Sequence, residues 1–198
     1  LTTPVQITSL ISAVAAEGIA YQPQIVQEIK NSEGERVKKF DPKIRFDLRE
    51  EIDSRVFSAL KQGMYNVVNK SYGTASRHFS DFPLEAAGKT GTAQKLVDGR
   101  YQASYRASFA GFFPVEDPKY VMFVLLDEPR TSIYGGFTAG SIFKEIATRI
   151  AGLDDEIHRN LNGENFEIAD NKVVPRIEGL HREDARLLLR SKNLTENY

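Results

Sequence analysis

The sequence contains no cysteine among its 198 residues. Disulfide bonds, thiolate metal sites and cysteine nucleophiles are therefore excluded within this chain. It also has no apolar run that approaches the roughly 20 residues of a membrane-spanning helix. Its 26 basic and 27 acidic residues leave a formal net charge of -1. Because no large basic field exists, we expect no nucleic-acid partner.

Hydrophobic residues form 41% of the chain and charged residues 27%, which is enough for a folded core with an ordinary surface. A chain of this length makes one domain, or one domain with a small appendage. Its composition becomes polar and acidic after Gly152. We therefore expect a main domain over residues 1–152, a linker over 153–171 and a short unit over 172–198. A helix signal almost at the first residue predicts that the chain is a piece of a longer protein.

The spacing of apolar residues predicts three helices in the main domain. Thr3 and Pro4 begin the first helix, which Gly18 ends. The second covers residues 50–69 and the third covers residues 139–151. The positions expected to face the core are Val5, Leu10, Ile11, Val14 and Ala15 in the first helix, Val56, Leu60, Met64 and Val67 in the second, and Phe143, Ile146, Ala147 and Ile150 in the third.

Runs of β-branched and aromatic residues predict five strands. These cover residues 23–30, 36–40, 85–96, 107–115 and 119–127. The first two are expected to form a hairpin, and the last two are expected to pair antiparallel across a tight connection. Tyr134-Gly135-Gly136 is predicted to be a flexible break before the last helix. The whole order predicts an α+β fold, in which helices pack on an antiparallel sheet.

The most informative segment reads Ala-Gly-Lys-Thr-Gly-Thr-Ala-Gln at residues 87–94. A strand with this sequence places a lysine, hydroxyls and glycines along one edge, which suits an acyl-transfer site that grips a carboxylate and polarises a carbonyl. Glycine weakens a strand interior and often marks the close approach of a ligand. Gly88-Lys89-Thr90 also matches the end of a phosphate-binding loop, but Pro83 stands where that loop needs a glycine. A nucleotide site is therefore disfavoured.

This segment and its flanks resemble the C-terminal half of a class B penicillin-binding protein transpeptidase domain, over residues 1–152. Other segments also carry the resemblance: Thr-Pro-Val-Gln-Ile at 3–7, Tyr-Gly-Thr-Ala at 72–75, Ser-Phe-Ala-Gly-Phe-Phe-Pro at 108–114, Asp-Pro-Lys-Tyr-Val at 117–121, and Pro129 with Tyr-Gly-Gly at 134–136. The tail, with Val174-Pro175, Gly179-Leu180 and Glu183, resembles the start of a PASTA module, of which only about half is present. The resemblance implies a partial β-lactamase/transpeptidase-like fold.

The resemblance also implies roles for individual residues. As catalytic groups, Lys89 supplies positive charge near the substrate carboxylate and Thr92 supplies a backbone N–H to the oxyanion hole. The hydroxyls of Thr90 and Thr92 bind the carboxylate, and Gly91 lets the substrate backbone lie close. Tyr134, Gly135 and Gly136 are expected to line the edge of the cleft. No cofactor and no metal are predicted, since the three histidines lack metal-ligand spacing.

The family needs a nucleophilic serine in a Ser-x-x-Lys sequence and a Ser-x-Asn loop, both before the lysine strand. Ser58 and Lys61 fit the first pattern, but Ser58 is predicted to face solvent on its helix. Residues 191–193 fit the second pattern only after the lysine strand. We interpret both as chance matches. The catalytic serine is therefore expected upstream of this chain, and the chain alone is predicted to be inactive.

The implied parent is a D,D-transpeptidase that cross-links peptidoglycan stem peptides through an acyl-serine intermediate. Its ligands would be stem peptides and β-lactams, with other cell-wall or division proteins as possible partners. It would act at the extracytoplasmic face of the bacterial inner membrane, anchored by an upstream segment. Two alternatives stay open: a non-catalytic module that binds peptidoglycan or a partner, and a serine β-lactamase or carboxypeptidase relative.

Overall fold

A computed structural model of the chain describes residues 2–157. The described part of the chain divides into two compact units. Among the described residues, the first consists of residues 2–80 and 85–143, and the second consists of residues 81–84 and 144–157. The first unit contains the sheet and every predicted site residue. The predicted segment at 172–198 and most of the predicted linker lie outside the described residues.

Four helices occur in the described part of the chain: α1 (Pro4–Ala15), α2 (Ser54–Asn69), α3 (Ser76–Phe79) and α4 (Ala139–Leu153). Thr3 caps α1 as predicted: its hydroxyl accepts the Gln6 N–H, and the Gln6 side chain accepts the Thr3 N–H in return. The second helix begins at Ser54, later than predicted, because the Asp53 carboxylate accepts the Arg55 N–H and caps it there.

Seven strands form three separate antiparallel sheets within residues 2–157. They are β1 (Ile19–Tyr21), β2 (Glu28–Lys30), β3 (Arg36–Lys39), β4 (Ile44–Asp47), β5 (Ala87–Val97), β6 (Arg100–Phe113) and β7 (Tyr120–Asp127). The largest sheet has the order β5-β6-β7, so β5 is an edge strand. The other two sheets pair β1 with β4 and β2 with β3. The predicted α+β class, the hairpin and the antiparallel pairing of the last two strands are confirmed.

Each face of the large sheet is covered by its own apolar cluster. On one face, Ala87, Ala110 and Phe112 pack with α1 and with Met64 of α2. On the other face, four phenylalanines form an aromatic cluster with ring centroids 4.8–6.1 Å apart: Phe79, Phe109, Phe113 and Phe143. Because consecutive strand residues point to opposite faces, β6 supplies side chains to both clusters.

Several predicted core positions are wrong. In α2 the buried residues are Phe57, Met64 and Val68, whereas Val56 and Leu60 are 47% exposed. Phe57, Met64 and Val68 are seven and four positions apart, so they also form a helical stripe, displaced around the helix from the predicted one. Val5, Leu10 and Ile146 are likewise exposed. The first predicted strand is shortened to β2, and Ile25, which was placed within it, lies fully in solvent.

The second unit contains most of α4 and an ion pair between Lys144 and Asp81, with Nζ 2.6 Å from Oδ1. Hydrogen bonding to Lys144 lowers the pKa of Asp81. The predicted linker begins within α4 at Leu153, and residues 155–157 are again helical. Ile157 is only 1% exposed. Within residues 2–157, no helix combines the length and apolarity needed to cross a bilayer.

Candidate active site

Strand β5 carries the lysine segment in a continuous antiparallel register with β6. Lys89 lies opposite Ala110, Thr90 opposite Phe109 and Gly91 opposite Ser108. Because side chains alternate along a strand, Lys89 and Gly91 belong to one face while Thr90 and Thr92 belong to the other. The Lys89 charge and the threonine hydroxyls therefore lie on opposite faces of β5. Both faces meet at the edge of the strand.

Every second residue of β5 points its backbone N–H and C=O groups toward the open edge of the strand. A Cβ added to Gly135 would touch the N and O of Gly91 and the O of Ser108, so these three atoms lie together between β5 and β6. In an antiparallel ladder, neighbouring residues point their N–H and C=O groups in opposite directions. The N–H and C=O groups of Thr90 and Thr92 therefore point away from β6.

The Lys89 ammonium lies at this open edge. Its Nζ donates to the Thr90 carbonyl oxygen at 2.7 Å, although the side chain belongs to the opposite face from Thr90. The contact requires the four-carbon stem to bend around the strand edge. The ammonium is exposed to solvent there, so a ligand carboxylate approaching the edge would meet a positive charge.

The two threonine hydroxyls contact segments that are distant in sequence. Thr90 Oγ1 lies 3.0 Å from Thr74 Oγ1, and either oxygen can be the donor. Thr92 Oγ1 accepts the backbone N–H of Gly135 at 3.4 Å. These contacts connect β5 to the segment after α2. They also connect it to Tyr134-Gly135-Gly136 before α4, called here the double-glycine segment.

The double-glycine segment is closely packed, contrary to the predicted flexible break. Gly135 and Gly136 are both buried. A Cβ on Gly136 would lie 2.5 Å from the Thr74 carbonyl oxygen, and one on Gly135 would overlap backbone atoms of Gly91 and Ser108. Glycine is needed here because two backbones approach each other without room for a side chain.

Tyr134 differs from the two glycines because its side chain is 68% exposed. Its backbone is nevertheless held in place. Its carbonyl accepts the N–H groups of Phe137 and Thr138, both at 3.1 Å, and its own N–H donates to the Ser132 hydroxyl. The ring therefore projects into solvent from a fixed position next to Gly135.

Both ends of β5 are anchored to neighbouring elements. Before the strand, Asn69 Nδ2 donates to the carbonyls of Tyr65 at 2.9 Å and Ala86 at 2.8 Å. The Tyr65 hydroxyl donates to Glu85 at 2.7 Å, and this bond raises the pKa of Tyr65. These contacts fix the end of α2 to the residues that lead into Lys89.

At the far end, Lys95 Nζ contacts Glu128 at 2.8 Å and Asp127 at 3.1 Å. The hydrogen bonds that Lys95 donates to Glu128 and Asp127 raise its pKa. Arg106 also reaches Asp127, at 3.1 Å, so one carboxylate at the end of β7 connects all three strands. The lysine segment is thus held between two fixed points.

The Ser58–Lys61 pair does not have the arrangement of a nucleophile and its base. The Ser58 hydroxyl donates to the Ser54 carbonyl within its own helix, and Lys61 Nζ contacts Glu17 at 3.0 Å. In addition, no group of three His, Asp or Glu side chains that could hold a metal ion occurs within residues 2–157.

Comparison with known proteins identifies the family. A sequence model described as the penicillin binding protein transpeptidase domain matches residues 1–148 of the chain. The chain belongs to this family. The matched region contains β5, the double-glycine segment and all seven predicted site residues.

Curated relatives of this transpeptidase-family chain are much longer. Stage V sporulation protein D of Bacillus subtilis is 30% identical over 97% of the chain, which covers 30% of that relative. Peptidoglycan D,D-transpeptidase FtsI of Buchnera aphidicola is 27% identical over 76% of the chain, which covers 24% of that protein. The chain therefore spans less than a third of the length of these relatives.

Solved transpeptidase structures share the fold. Penicillin binding protein 3 of Mycobacterium tuberculosis, complexed with aztreonam, matches 76% of the chain and 35% of its own, with a TM-score of 0.63 and 26% identity. PBPA from the same organism matches with a TM-score of 0.61 at 24% identity, over 77% of this chain and 34% of its own. The predicted partial transpeptidase-like fold is confirmed.

Two residues of the site were not predicted to have a role. Thr74 belongs to the Tyr-Gly-Thr-Ala segment that carries the family resemblance, and the sequence assigns no role to Asn69. No local sequence pattern relates either residue to β5, because both contacts join segments that only the folded chain brings together.

Proposed function

We propose that this chain forms the lysine-strand wall of the active site in a serine D,D-transpeptidase that cross-links peptidoglycan stem peptides. One observation carries the proposal: the Lys89 ammonium and the backbone N–H of Thr92 are both directed to the open edge of β5. A peptide lying along that edge would meet a cation for its carboxylate and a backbone donor for its carbonyl. Membership of the transpeptidase family supports the assignment.

The reaction follows from these groups and a serine supplied by another part of the protein. The serine oxygen attacks the carbonyl carbon of the D-Ala-D-Ala amide, and negative charge develops on the carbonyl oxygen. The Thr92 N–H stabilises this oxygen. The C–N bond then breaks, and the terminal D-alanine leaves with its nitrogen carrying the proton that the serine hydroxyl gave up. An amine from a neighbouring stem peptide attacks the acyl-serine ester and forms the cross-link, and the proton that this amine loses returns to the released serine.

Lys89 and the hydroxyls act on the terminal carboxylate of the stem peptide. The ammonium neutralises the carboxylate. It also supplies positive charge to the groups that transfer protons during the reaction. Thr90 and Thr92 are the hydroxyl donors, on the face of β5 opposite to that of the Lys89 side chain. Gly91 lets the peptide approach the strand, and the exposed Tyr134 lines the cleft beyond it, with the buried Gly135 and Gly136 forming the edge behind Tyr134. The same groups would bind a β-lactam, which presents a carboxylate and a reactive carbonyl.

We further propose that the parent protein acts at the extracytoplasmic face of the bacterial inner membrane, together with other cell-wall or division proteins. In this proposal the membrane anchor, the Ser-x-x-Lys sequence and the Ser-x-Asn loop all lie upstream of the chain. Residues 172–198 would begin a PASTA-like module that follows the transpeptidase domain.

Labelled penicillin tests the proposal directly. The 198-residue chain is incubated with the label beside a longer polypeptide that includes an upstream Ser-x-x-Lys, and both are analysed by intact mass and peptide mapping. We expect an adduct only on the longer polypeptide, at its upstream serine, and loss of that adduct with Lys89→Met. A stable adduct on Ser58 of the short chain would contradict the assignment of the nucleophile. Full acylation of the Lys89→Met variant would contradict the role of β5.

A further inference from the structure

Thr74 is the partner of the Thr90 hydroxyl, with the two oxygens 3.0 Å apart. We propose that Thr74 is a positioning residue, whose hydroxyl donates to Thr90 and so directs the Thr90 proton toward a ligand carboxylate. The inference rests on the proposed function, because it assigns a supporting residue to the same site. It concerns a residue outside β5, in the connection between α2 and α3.

The backbone on both sides of Thr74 is fixed to the end of α2. Gly73 donates its N–H to the Lys70 carbonyl at 2.7 Å, and Ala75 donates to the Val67 carbonyl at 3.0 Å. Ala75 is fully buried, and a Cβ on Gly73 would overlap the carbonyl of Val67. Thr74 therefore presents its side chain from a backbone with little freedom to move, as positioning requires.

The other side of Thr74 contacts the double-glycine segment. A Cβ on Gly136 would lie 2.5 Å from the Thr74 carbonyl oxygen and 3.1 Å from Thr90 Cγ2. Thr74, Thr90 and Gly136 are therefore in mutual contact. The methyl group of Thr90 lies toward Gly136 while its hydroxyl lies toward Thr74, and one side-chain rotamer satisfies both contacts.

Hydroxyl chemistry decides the direction of the bond once a ligand is present. Each threonine hydroxyl has one proton to donate and two lone pairs to accept with. An ionised carboxylate only accepts, so Thr90 must donate its proton to the ligand. The bond between the two threonines then survives only if Thr74 donates to Thr90. Such a donated bond also polarises the Thr90 O–H and strengthens its bond to the carboxylate.

Ligand binding to the intact chain tests the inference. Threonine methyl NMR of the 198-residue chain is recorded while N-acetyl-D-alanyl-D-alanine is added, with the C-terminal amide of the same peptide as a neutral probe. We expect Thr74→Val to weaken binding of the carboxylate by roughly three- to tenfold, the range of one lost hydrogen bond. Thr74→Ser, which keeps the hydroxyl, should bind like the unchanged chain. Binding of the neutral amide should not differ between the variants.

Thr8→Val is the matched control, since Thr8 donates its hydroxyl to the Pro4 carbonyl within α1, away from the strand. It should leave carboxylate binding unchanged. If Thr74→Val does not fold, Thr74→Ala provides the same comparison without a branched side chain. Equal carboxylate affinity with and without the Thr74 hydroxyl overturns the inference and leaves the proposed function intact. Failure of the unchanged chain to bind the carboxylate overturns the inference together with the carboxylate-binding role proposed for β5, whereas labelling of the longer polypeptide by penicillin decides the transpeptidase assignment.

Discussion

Gly135 donates its backbone N–H to the hydroxyl of Thr92, a residue 43 positions earlier in the chain, at an N···O distance of 3.4 Å. The bond is long, and close packing of the two backbones holds it in place. The double-glycine segment therefore covers the junction of β5 and β6 beside the hydroxyl that is proposed to bind the substrate. Its lack of side chains is a structural requirement of the site.

The first prediction concerns this close approach. Gly135→Ala adds a methyl group that overlaps backbone oxygens of Gly91 and Ser108, which cannot move without disturbing the sheet. We expect the free energy of unfolding to fall by about 1–3 kcal/mol, the usual cost of overpacking. Urea denaturation followed by circular dichroism measures the change.

Gly63→Ala is the matched control, because a Cβ at this exposed position inside α2 meets no atom within 4 Å. Because alanine is the better helix former, the free energy of unfolding of this variant should rise by about 0.5–1 kcal/mol. Equal stabilities for the two variants would show that Gly135 is not closely packed.

Whether the sequence predicts a part of this site depends on how far apart in the sequence the contacting residues lie. The lysine segment lies on one strand, so its residue types alone identified Lys89, Thr90 and Thr92 as candidates. The contacts of Thr74 and Gly135 join segments that no local pattern relates, and only the folded chain brings them to β5. The same limit explains why Tyr134-Gly135-Gly136 was predicted to be flexible: glycine permits either mobility or close packing.

The sequence likewise predicts some elements of the fold and not others. The large sheet was predicted because β6 and β7 are long and rich in β-branched and aromatic residues. The short strands β1 and β4 were not predicted because they have only three and four residues, and neither contains a buried residue that would give a clear apolar alternation. In α2, Phe57 and Val56 are adjacent apolar residues that belong to different helical stripes, and tertiary packing alone selects Phe57.

The second prediction concerns the hydrogen bonds of Asn69, which fix the end of α2 to the residues before β5. Asn69→Ala removes both hydrogen bonds from its amide, and one of them satisfies the carbonyl of Ala86, a fully buried residue. A buried acceptor without a partner costs about 1–3 kcal/mol, and we expect the free energy of unfolding to fall by that amount. Hydrogen exchange of the β5 amides should also accelerate.

Asn66→Ala serves as the comparison in the same helix. Its side chain accepts a bond from Gln62 one turn away, on the exposed surface of α2. Such a pair contributes about 0.2–0.5 kcal/mol, so the loss should be small. If both asparagine variants lose the same stability, the bond to Ala86 does not anchor the strand.

The third prediction concerns the aromatic cluster behind the threonines. Phe109 is fully buried, and its ring centroid lies 4.8 Å from that of Phe143. Phe109→Ala removes these contacts and leaves a cavity under β5, at an expected cost of about 3–5 kcal/mol. Phe46→Ala, at a side chain that is 55% exposed, should change stability by less than about 0.5 kcal/mol. A similar small effect from both would place Phe109 outside the core.

The last prediction concerns the carboxylate that connects the three strands. The hydrogen bond from Lys95 is the largest cause that lowers the pKa of Asp127 below its ordinary value of 3.8, and the bond from Arg106 is a lesser one. Because the pKa is depressed in the folded state, ionised Asp127 stabilises the fold at pH values above about 3.8, and this contribution is lost as the pH falls through the lowered pKa.

Carbon-13 NMR titration of the Asp127 carboxyl measures the effect. Lys95→Met should raise the pKa of Asp127 toward 3.8, and Arg106→Met should raise it by less. The Lys95→Met chain should also lose less stability than the unchanged chain when the pH falls below 3.8, since less of the depressed titration remains. A larger shift from Arg106→Met would reverse the assignment and make β6, not β5, the main partner of Asp127.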